Sequence, residues 1–361
     1  MSSIIGNKLK ISLFGESHGE GIGVVIDGLP AGFEINFDNI NKQMKRRVPG
    51  KSILSSPRKE DDEYNILSGL FRGRTTGTPL TAIMYNKDKK PDDYNQYILR
   101  PGHSDYTGNI KYSNFNDYRG GGHFSGRLTA PLLFAGSIAL QILESKNIYI
   151  GSRIKSIYNI NDDDINTMNI EMIKNLKDMD FPVVSEEKEK LMKDCIINEK
   201  EKGNSLGGIA ETFIINFSAG YGEPFFDSIE SKISHMIFSI PAVKGIEFGA
   251  GFKITELTGK EANDEFKIEN NKITTLTNNS GGILGGISNG MLIIFRTAIK
   301  PTPSIAHFQN TVNIKEMKNT VLNIEGRHDP CIVPRVIPVI DGSTALVILD
   351  LILERDGEVW S

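Results

Sequence analysis

One segment that is apolar around its whole circumference constrains the fold of this chain more than any other feature. Residues 128–144 have the length of a helix and no continuous polar face, so other elements must cover this helix on every side. Elsewhere, strand-like and helix-like runs alternate without the regular order of a βαβ fold. The sequence therefore predicts an α+β fold with buried helices against antiparallel sheets. No linker separates independent domains, so we expect a single domain over residues 1–361.

The other elements follow from the period of the apolar residues and from turn and cap signals. In the first predicted helix, capped by Asp38, the apolar face of Ile40, Met44 and Val48 also includes Arg47. An arginine on a core-facing side needs a buried partner. The predicted strands cover residues 10–14, 23–27, 66–70, 80–85, 210–217, 245–254 and 291–298, and the predicted helices cover 38–48, 128–144, 227–238 and 335–354, with surface helices within 162–202.

Charge, cysteine content and apolar stretches argue against several classes of protein. The net charge of −4 gives no global field that would attract nucleic acid. Cys195 and Cys331 have no metal-like spacing, so we expect two reduced thiols and no metal. Residues 1–10 lack the apolar core of a signal peptide. The stretches 128–143 and 345–353 are too short or too interrupted to span a bilayer. We expect a cytoplasmic protein with neither nucleic-acid nor membrane partners.

Five loops combine glycine with basic side chains. Residues 119–127 (RGGGHFSGR) lie in a long segment, 98–127, with few periodic apolar residues, and they lead into the predicted buried helix. A Gly-rich helix N-terminus suits an anion because its N–H groups and the helix dipole point to the ligand. An ordinary turn remains an alternative for each loop by itself. The other loops are 15–19 (GESHG), 100–105 (RPGHSD), 281–286 (GGILGG) with 300–304 (KPTPS), and 326–331 (GRHDPC).

Taken together, these loops predict a site for a small polyanion. They combine cationic side chains with two histidines and one aspartate, His18, His103 and Asp329. Cations bind phosphates and carboxylates, and the histidines and the aspartate can transfer protons. His235 and His307 lie outside these clusters, and we expect them to be solvated or structural. The predicted anion-binding residues are Arg47, Arg100, Arg119, Arg127, Lys300 and Arg327.

In this order, the motifs resemble those of the chorismate synthase family over nearly the whole chain. Besides the five loops, the resemblance includes residues 23–32 (GVVIDGLPAG), 100–108 (RPGHSDYTG), 243–252 (VKGIEFGAGF) and 281–290 (GGILGGISNG). It implies an anti-1,4-elimination of phosphate from 5-enolpyruvylshikimate 3-phosphate to give chorismate, in the shikimate pathway of aromatic amino acid biosynthesis. The chain would then be a carbon-oxygen lyase.

The same resemblance implies a fold, a cofactor and an assembly. The family fold is an α+β sandwich of antiparallel sheets around helices, which agrees with the elements predicted above. The family uses reduced FMN without net redox change, and it is typically a homotetramer. No GxGxxG fingerprint is present, so the flavin is implied by the resemblance alone. The compact length resembles the members that need an external flavin reductase, rather than those that reduce FMN with NADPH themselves.

The resemblance also assigns roles to individual residues. His18 matches a general acid beside the departing phosphate, and His103 matches a histidine that stabilises the charged reduced flavin. Asp329 matches an aspartate linked to flavin N5 and the substrate C6 proton, with Ser17 and Ser125 as hydrogen-bonding support. Arg47, Arg100, Arg127 and Arg327 match substrate-binding positions, and Arg47 also matches an NADP-binding one. The flavin-contacting positions are His123, Phe124, Ser125, Ala242, Gly285, Lys300, Pro301, Thr302, Pro303, Ser304 and Arg327.

The chain departs from the family pattern at a few positions. His123 and Phe124 stand where Arg and Ser are usual, Ile53 stands where many relatives have a further arginine, and His328 is not a fixed family feature. The first three bear on the flavin and nucleotide contacts.

Two other functions compete with the lyase. A flavin-dependent reductase would use the anion site for a nicotinamide phosphate and would consume NADPH in turnover. A protein that binds phosphate ligands or RNA would leave the histidines and Asp329 without a task, and the acidic charge and missing RNA motif count against it.

Overall fold

The computed structural model describes residues 3–48, 61–87, 94–165, 167–324 and 329–357. In chain order, its strands are β1 (Ile4–Ile5), β2 (Lys10–Gly15), β3 (Gly21–Asp27), β4 (Asn65–Ser68), β5 (Leu70–Phe71), β6 (Arg74–Thr75), β7 (Leu80–Tyr85), β8 (Tyr149–Ile157), β9 (Ile160–Asn161), β10 (Gly208–Ile215), β11 (Val243–Phe248), β12 (Phe266–Glu269), β13 (Lys272–Thr275), β14 (Ile283–Leu284), β15 (Ile287–Ser288), β16 (Ile293–Ile299), β17 (Phe308–Asn313) and β18 (Lys318–Asn323). The helices are α1 (Phe37–Arg47), α2 (Asp105–Lys111), α3 (Thr129–Ser145), α4 (Ile170–Asp178), α5 (Glu186–Glu201), α6 (Ile229–Phe238), α7 (Gly259–Ala262) and α8 (Val333–Asp356).

Two five-stranded antiparallel sheets enclose a layer of helices. The strand order of the first sheet is β1-β2-β3-β7-β4, and that of the second is β11-β16-β10-β8-β9. Helix α3 packs on β2, β3 and β7 of the first sheet, while α8 packs on β8 and β10 of the second. This arrangement confirms the predicted α+β fold with helices between antiparallel sheets. That residues 1–361 form one catalytic domain stays a prediction.

Helices α3 and α8 touch each other closely at the centre of the molecule. Every residue of α3 from Ala130 to Leu143 is buried, as the apolar circumference predicts. The two helices meet at Gly136 and Gly342, where a Cβ on Gly136 would lie 2.4 Å from the Cα of Gly342. Only glycine allows this approach. The tight contact places the N-terminal ends of both helices beside the loops that combine glycine with basic side chains.

The length of α8 corrects one expectation. The apolar stretch 345–353 was expected to be too short for a membrane span, yet it belongs to a continuous 24-residue helix. By length and composition, both α8 and the segment Arg119–Ser145 would suffice to cross a membrane. However, the apolar part of α8 is 100% buried inside the protein and that of the other segment 83%. Such burial is typical of the core helices of soluble proteins.

The cap of α1 also differs from the prediction. The helix begins at Phe37, and the side-chain oxygen of Asn36 accepts a hydrogen bond from the N–H of Asn39 at 3.0 Å. Asn36 has the extended backbone of a capping residue, so the assignment of this role to Asp38 is wrong. Asp38 lies in the first turn, where its negative charge interacts favourably with the helix dipole.

Glycines explain where one predicted strand ends. The predicted strand 245–254 stops at Phe248, because Gly249 and Gly251 adopt positive φ angles of 55° and 58° and turn the chain into a short 3-10 helix, Gly251–Glu256. The predicted loop 98–127 is also partly helical, since it contains α2 and a 3-10 segment at Arg119–Phe124.

The two cysteines are free thiols within the described part of the chain, as predicted. Burial raises the pKa of Cys331 to about 12, so this thiol remains protonated at neutral pH.

A row of alternating charges crosses four strands of the second sheet. Glu211 on β10 lies opposite Arg153 on β8 and Arg296 on β16, and Arg296 lies opposite Glu247 on β11. The guanidinium of Arg153 donates to Glu211 at 2.8 Å and to Asp162 at 3.0 Å, and Arg153 is almost completely buried. Because both neighbours of Glu211 are cations, its carboxylate is the central partner of the row.

We expect that Glu211→Ala lowers the free energy of unfolding by about 3–5 kcal/mol, because it leaves Arg153 without one of its buried partners. Urea unfolding followed by circular dichroism measures this change. Glu34→Ala is the matched control, since Glu34 pairs with Arg74 on the exposed surface and should contribute less than about 1 kcal/mol. Equal stability of the two variants would contradict a structural role for the row.

Candidate active site

A cavity of about 1090 Å³ lies where loops from both halves of the fold meet the N-terminal ends of α3 and α8. Most of the side chains predicted for the site line this cavity, although they come from distant parts of the chain. They are Ser17, His18, Arg47, Arg100, His103, His123, Phe124, Ser125, Arg127, Ala242, Lys300, Thr302, Pro303, Ser304 and Asp329. The loops that share glycines and cations therefore converge in space.

A few predicted residues lie elsewhere. Gly285 occupies the turn of the β14–β15 hairpin and does not line this cavity. Pro301 faces a second cavity of about 530 Å³ instead. The guanidinium of Arg119 forms two hydrogen bonds with Asp117. The assignments to Arg327, and the departures at Ile53 and His328, concern positions outside the described residues.

His18 is held in a narrow space behind the Gly-rich loop. His18 is only 7% exposed. The backbone N–H of the preceding residue, Ser17, donates to the carbonyl of Gly122 in the Gly-rich loop at 3.1 Å. A Cβ on Gly120 would lie 2.3 Å from the imidazole Nδ1 of His18. Glycine at position 120, with φ of 59°, is thus required for the ring to fit. The ring of Tyr94 also meets the imidazole, edge-to-face, with the ring centroids 5.1 Å apart.

Both ring nitrogens of His103 have protein partners. Nδ1 lies 3.0 Å from the carbonyl of Pro101, and Nε2 lies 2.9 Å from the hydroxyl of Ser304. Burial, together with the nearby Arg100 cation, lowers the pKa of His103 to about 4. The imidazole is therefore neutral at pH 7. Because a carbonyl can only accept, Nδ1 carries the proton and Nε2 accepts from Ser304.

Two basic side chains, Arg100 and Lys300, lie near His103. Arg100 donates to both oxygens of Asp105, at 2.8 and 2.6 Å. Burial by itself would raise the pKa of Asp105, but the hydrogen bonds from Arg100 outweigh it and hold that pKa below its usual value. Lys300 donates to the carbonyl of Gly102 at 2.7 Å, which joins the two cavity-lining loops. Burial lowers the pKa of Lys300, and the nearby Lys244 lowers it further.

One buried carboxylate contacts two of the predicted arginines. Asp62 accepts from Arg47 at 2.6 Å through one oxygen and from Arg127 through the other. Arg47 thereby has the buried partner that its position on the helix requires. The Nε of Arg127 also donates to the side-chain oxygen of Asn86 at 3.2 Å. We call the group of Asp62, Arg47 and Arg127 the arginine clamp.

Asp329 contacts a cation that sequence reasoning missed. The guanidinium of Arg335 forms an ion pair with Asp329, and its Nε donates to the backbone carbonyl of Arg47 at 2.8 Å. Arg335 lies in the first turn of α8 and lines the cavity. Because Arg335 lies at the predicted start of a helix, the sequence suggests only a structural role for it. Its position six residues after Asp329 could have indicated that it pairs with this carboxylate.

Tyr94 is a second cavity residue that sequence reasoning missed. Its ring lies against His18 and also beneath the guanidinium of Arg100, whose central carbon is 5.3 Å from the ring centroid. It thus connects the two loops that carry the predicted histidines. Nothing in the local sequence distinguishes Tyr94 from a surface tyrosine. His235, which was expected to be solvated or structural, is exposed and lies at the cavity wall.

The arrangement as a whole suits a ligand with several negative charges. Guanidinium groups from Arg127 and Arg335 and the ammonium of Lys300 reach the same cavity as one neutral imidazole and one carboxylate. Cationic donors bind phosphates and carboxylates, and these titratable groups can accept or donate protons in a partly dry space.

Comparisons with known proteins agree over the length of the chain. A family model described as chorismate synthase matches residues 9–353, which include every cavity-lining residue from Ser17 to Val339. The chain is 44% identical over 364 residues to the chorismate synthase of Methanobrevibacter smithii, with 99% of this chain and 98% of that protein covered. It is 45% identical over 359 residues to the chorismate synthase of Pyrococcus abyssi, with 98% of each covered.

A solved structure is similar as well. A crystal structure of chorismate synthase superposes with a TM-score of 0.76 and 28% sequence identity, covering 97% of this chain and 93% of the other. The similarity in fold thus extends to both sheets and to the helices between them.

The low pKa of His103 has a consequence for stability. Between pH 6.5 and about 4, the unfolded chain binds a proton that the folded histidine does not accept. Stability therefore falls as the pH is lowered through this range, by on the order of 2–3 kcal/mol for this residue. We expect His103→Gln to reduce that slope, as measured by urea unfolding at a series of pH values. Replacing the exposed His307 by glutamine is the control, and equal slopes in both variants would contradict a folded His103 that stays neutral over this range.

Proposed function

Because the chain belongs to the chorismate synthase family, we propose that it is a phosphate-eliminating lyase that converts 5-enolpyruvylshikimate 3-phosphate into chorismate. The reaction is an anti-1,4-elimination in aromatic amino acid biosynthesis, with reduced FMN as the cofactor. The observation that carries this proposal is the convergence of His18, His103, Arg127 and Asp329 on one cavity from four separate loops. Their chemistry suits the loss of a phosphate and a proton from one small substrate.

Substrate binding is assigned to the cations of the cavity. The substrate carries one phosphate and two carboxylates, and it therefore needs several positive charges in a desolvated site. Arg127, Lys300 and Arg335 line the cavity and supply them. Arg100 contributes a further positive charge, although Asp105 already holds its guanidinium.

His18 is the proposed general acid. When the bond between carbon and the phosphate oxygen breaks, the leaving oxygen gains negative charge, which a proton or a nearby cation stabilises. The imidazole of His18 is buried beside the glycine-rich loop, where water competes little for the phosphate. Ser17 and Ser125 line the same cavity and would orient the phosphate or the imidazole ring by hydrogen bonds.

Asp329 is the proposed route for the C6 proton. This proton is weakly acidic, so the group that removes it must be held in place. The ion pair with Arg335 fixes the carboxylate, and the hydrogen bond from Arg335 to the backbone of Arg47 fixes the arginine in turn. The proton passes to the carboxylate, and the electron pair of the broken C–H bond forms a new double bond in the ring. The existing ring double bond shifts by one position as the C–O bond to the phosphate breaks, so atoms and charges balance without an added oxidant.

The residues present fit a reduced flavin next to the substrate. The cavity is at the upper end of the size of small-molecule sites, which leaves room for a flat cofactor and a small acid together. Among the described residues, the buried Oγ1 of Thr302 has no hydrogen-bond partner, and it lies on the loop of Lys300 and Ser304. When bound, reduced FMN would supply electron density that assists the departure of phosphate and is returned at the end.

His103 would respond to the charge of the reduced flavin. Its neutral ring is held by Pro101 and Ser304, and a nearby anion favours the protonated form of an imidazole. The chain can thus take up a proton at Nε2 as the charged cofactor binds. The other proposed flavin contacts are His123, Phe124, Ser125, Ala242, Lys300, Thr302, Pro303 and Ser304, which line the cavity, and Arg327. Gly285 and Pro301 do not line it and are not among the proposed contacts.

Several wider properties belong to the same proposal. We propose a cytoplasmic homotetramer in which each chain is one catalytic domain, supplied with reduced FMN by an external reductase. Arg47 would be the NADP contact if the chain instead reduced its own flavin.

The decisive experiment is anaerobic incubation with dithionite-reduced FMN and 5-enolpyruvylshikimate 3-phosphate. We expect chorismate absorbance and free phosphate to appear in equal amounts, with no stoichiometric loss of reductant. No product with the folded, flavin-loaded protein would refute the proposal. Consumption of one NADPH per turnover would support the flavin reductase instead.

His18→Ala should lower kcat by about 10²–10⁴-fold, the typical contribution of a general acid, and leave the dissociation constant of reduced FMN largely unchanged. Stopped-flow absorbance and flavin titration measure the two quantities. His307→Ala, at an exposed position outside the cavity, is the control and should behave like the wild type. A His18 variant with wild-type turnover would remove this residue from the mechanism.

A further inference from the structure

The arginine clamp contains an aspartate that sequence analysis did not assign. The side chain of Asp62 is fully buried, and those of Arg47 and Arg127 are only 5% and 9% exposed. We propose that Asp62 is a positioning residue for the anion site, which fixes the guanidinium of Arg127 at the cavity wall and thereby sets the affinity for the substrate phosphate or carboxylates. This inference rests on the proposed function and deepens it.

The contacts of Arg47 indicate an anchoring role. Its Nε donates to the hydroxyl of Thr129 at 2.9 Å, one terminal nitrogen donates to Asp62 at 2.6 Å, and the other faces the carbonyls of Gly126 and Arg127 at 3.4 and 3.2 Å. All three nitrogens thus bind protein atoms. Arg47 ties Asp62 to the backbone that leads into α3, and in this geometry it supports the position of Asp62.

Arg127 is held by neighbouring side chains. It is the last residue of the Gly-rich loop, and its guanidinium is fixed from two sides, by Asp62 at a terminal nitrogen and by Asn86 at Nε. An arginine side chain loses substantial rotamer entropy when it is immobilised. Because the protein has already immobilised Arg127, a bound anion does not have to offset that entropy loss.

The charge of the clamp favours the same interpretation. The carboxylate of Asp62 contacts both guanidinium groups, so neither buried arginine lacks a compensating charge. The backbone of Asp62 has a positive φ of 50°, which a non-glycine residue adopts at a cost. The surrounding structure therefore holds this carboxylate in one conformation between the two arginines.

Asp62→Asn tests the proposal because the amide keeps the shape of the side chain and removes its charge. We expect the dissociation constant of 5-enolpyruvylshikimate 3-phosphate, measured by calorimetry on the FMN-loaded protein, to rise about tenfold. KM should rise with it, while kcat and the dissociation constant of FMN change less than about threefold. A substrate dissociation constant within twofold of the wild type would overturn the proposal.

Asp162→Asn is the matched control. Asp162 is an equally buried carboxylate paired with a buried arginine, Arg153, but it directly follows β9 of the second sheet and does not line the cavity. We expect this variant to lose stability without a change in substrate affinity. If it weakened substrate binding as much as Asp62→Asn does, the effect of Asp62 would be one of general stability.

A double-mutant cycle with Arg127→Gln separates positioning from independent effects. If Asp62 acts through Arg127, then Asp62→Asn should weaken substrate binding little further once Arg127 is replaced. Fully additive losses would contradict the proposal. Should Asp62→Asn not fold, Asp62→Glu retains the charge and shifts the guanidinium by one methylene, and a substrate dissociation constant raised severalfold is then expected, while wild-type affinity would overturn the proposal.

The same measurements distinguish this inference from the proposed function. A wild-type protein that neither binds nor turns over the substrate would contradict the function itself. Titration of the same variants with inorganic phosphate, followed by ³¹P NMR, would then decide the role of Asp62, since a positioning role predicts weaker phosphate binding in Asp62→Asn and unchanged binding in Asp162→Asn.

Discussion

The close contact between α3 and α8 determines the position of nearly everything else in this protein. Both helices are buried along almost their whole length, and the two glycines at their crossing allow the backbones to touch. Each helix also covers the inner face of one sheet, so the distance between the sheets depends on this contact. The starts of both helices lie at the cavity, and the loops that precede them carry Arg127 and Asp329. A change in the helix crossing would therefore move the cation and the carboxylate relative to each other.

Buried charge is the second feature that determines this structure. The protein compensates buried charge with oppositely charged side chains. The arginine clamp, the Asp329–Arg335 pair and the Arg100–Asp105 pair each place a guanidinium beside a carboxylate at the cavity. Isolated charges in such a space would be costly. Since the pairs are already formed, the protein presents fixed donors to an incoming anion. This preorganisation is what a site for charged substrates requires.

Much of this arrangement could be predicted from the sequence because it depends on local pattern. The apolar circumference of residues 128–144 indicated the buried helix and, with it, the layered fold. The glycines and cations of the loops indicated the anion site, and the order of the motifs indicated the family. Helix and strand positions agree with the periodicity to within two residues for α3, α6, α8 and β16.

The missed residues have a common physical explanation. The period of a helix shows that Arg47 faces inward and needs a partner, but it does not show which carboxylate from another element will meet it. Asp62, Tyr94 and Arg335 acquire their positions only through tertiary packing. The cap at Asn36 was missed for a smaller reason, since Asp38 two residues later carries an equally suitable side chain. Selection of partners across elements is thus the step that local sequence rules leave undetermined.

The charged row in the second sheet also bears on how the sheet assembles. Side chains alternate between the two faces of a strand, so a shift of one residue in the pairing of β10 would turn Glu211 toward the apolar helix layer. It would also separate Glu211 from Arg153 and Arg296, with which it is in register. Because the row spans four strands, one slipped strand would leave unpaired charges on its neighbours as well. During folding, this row would favour the correct alignment of the strands over alignments shifted by one residue.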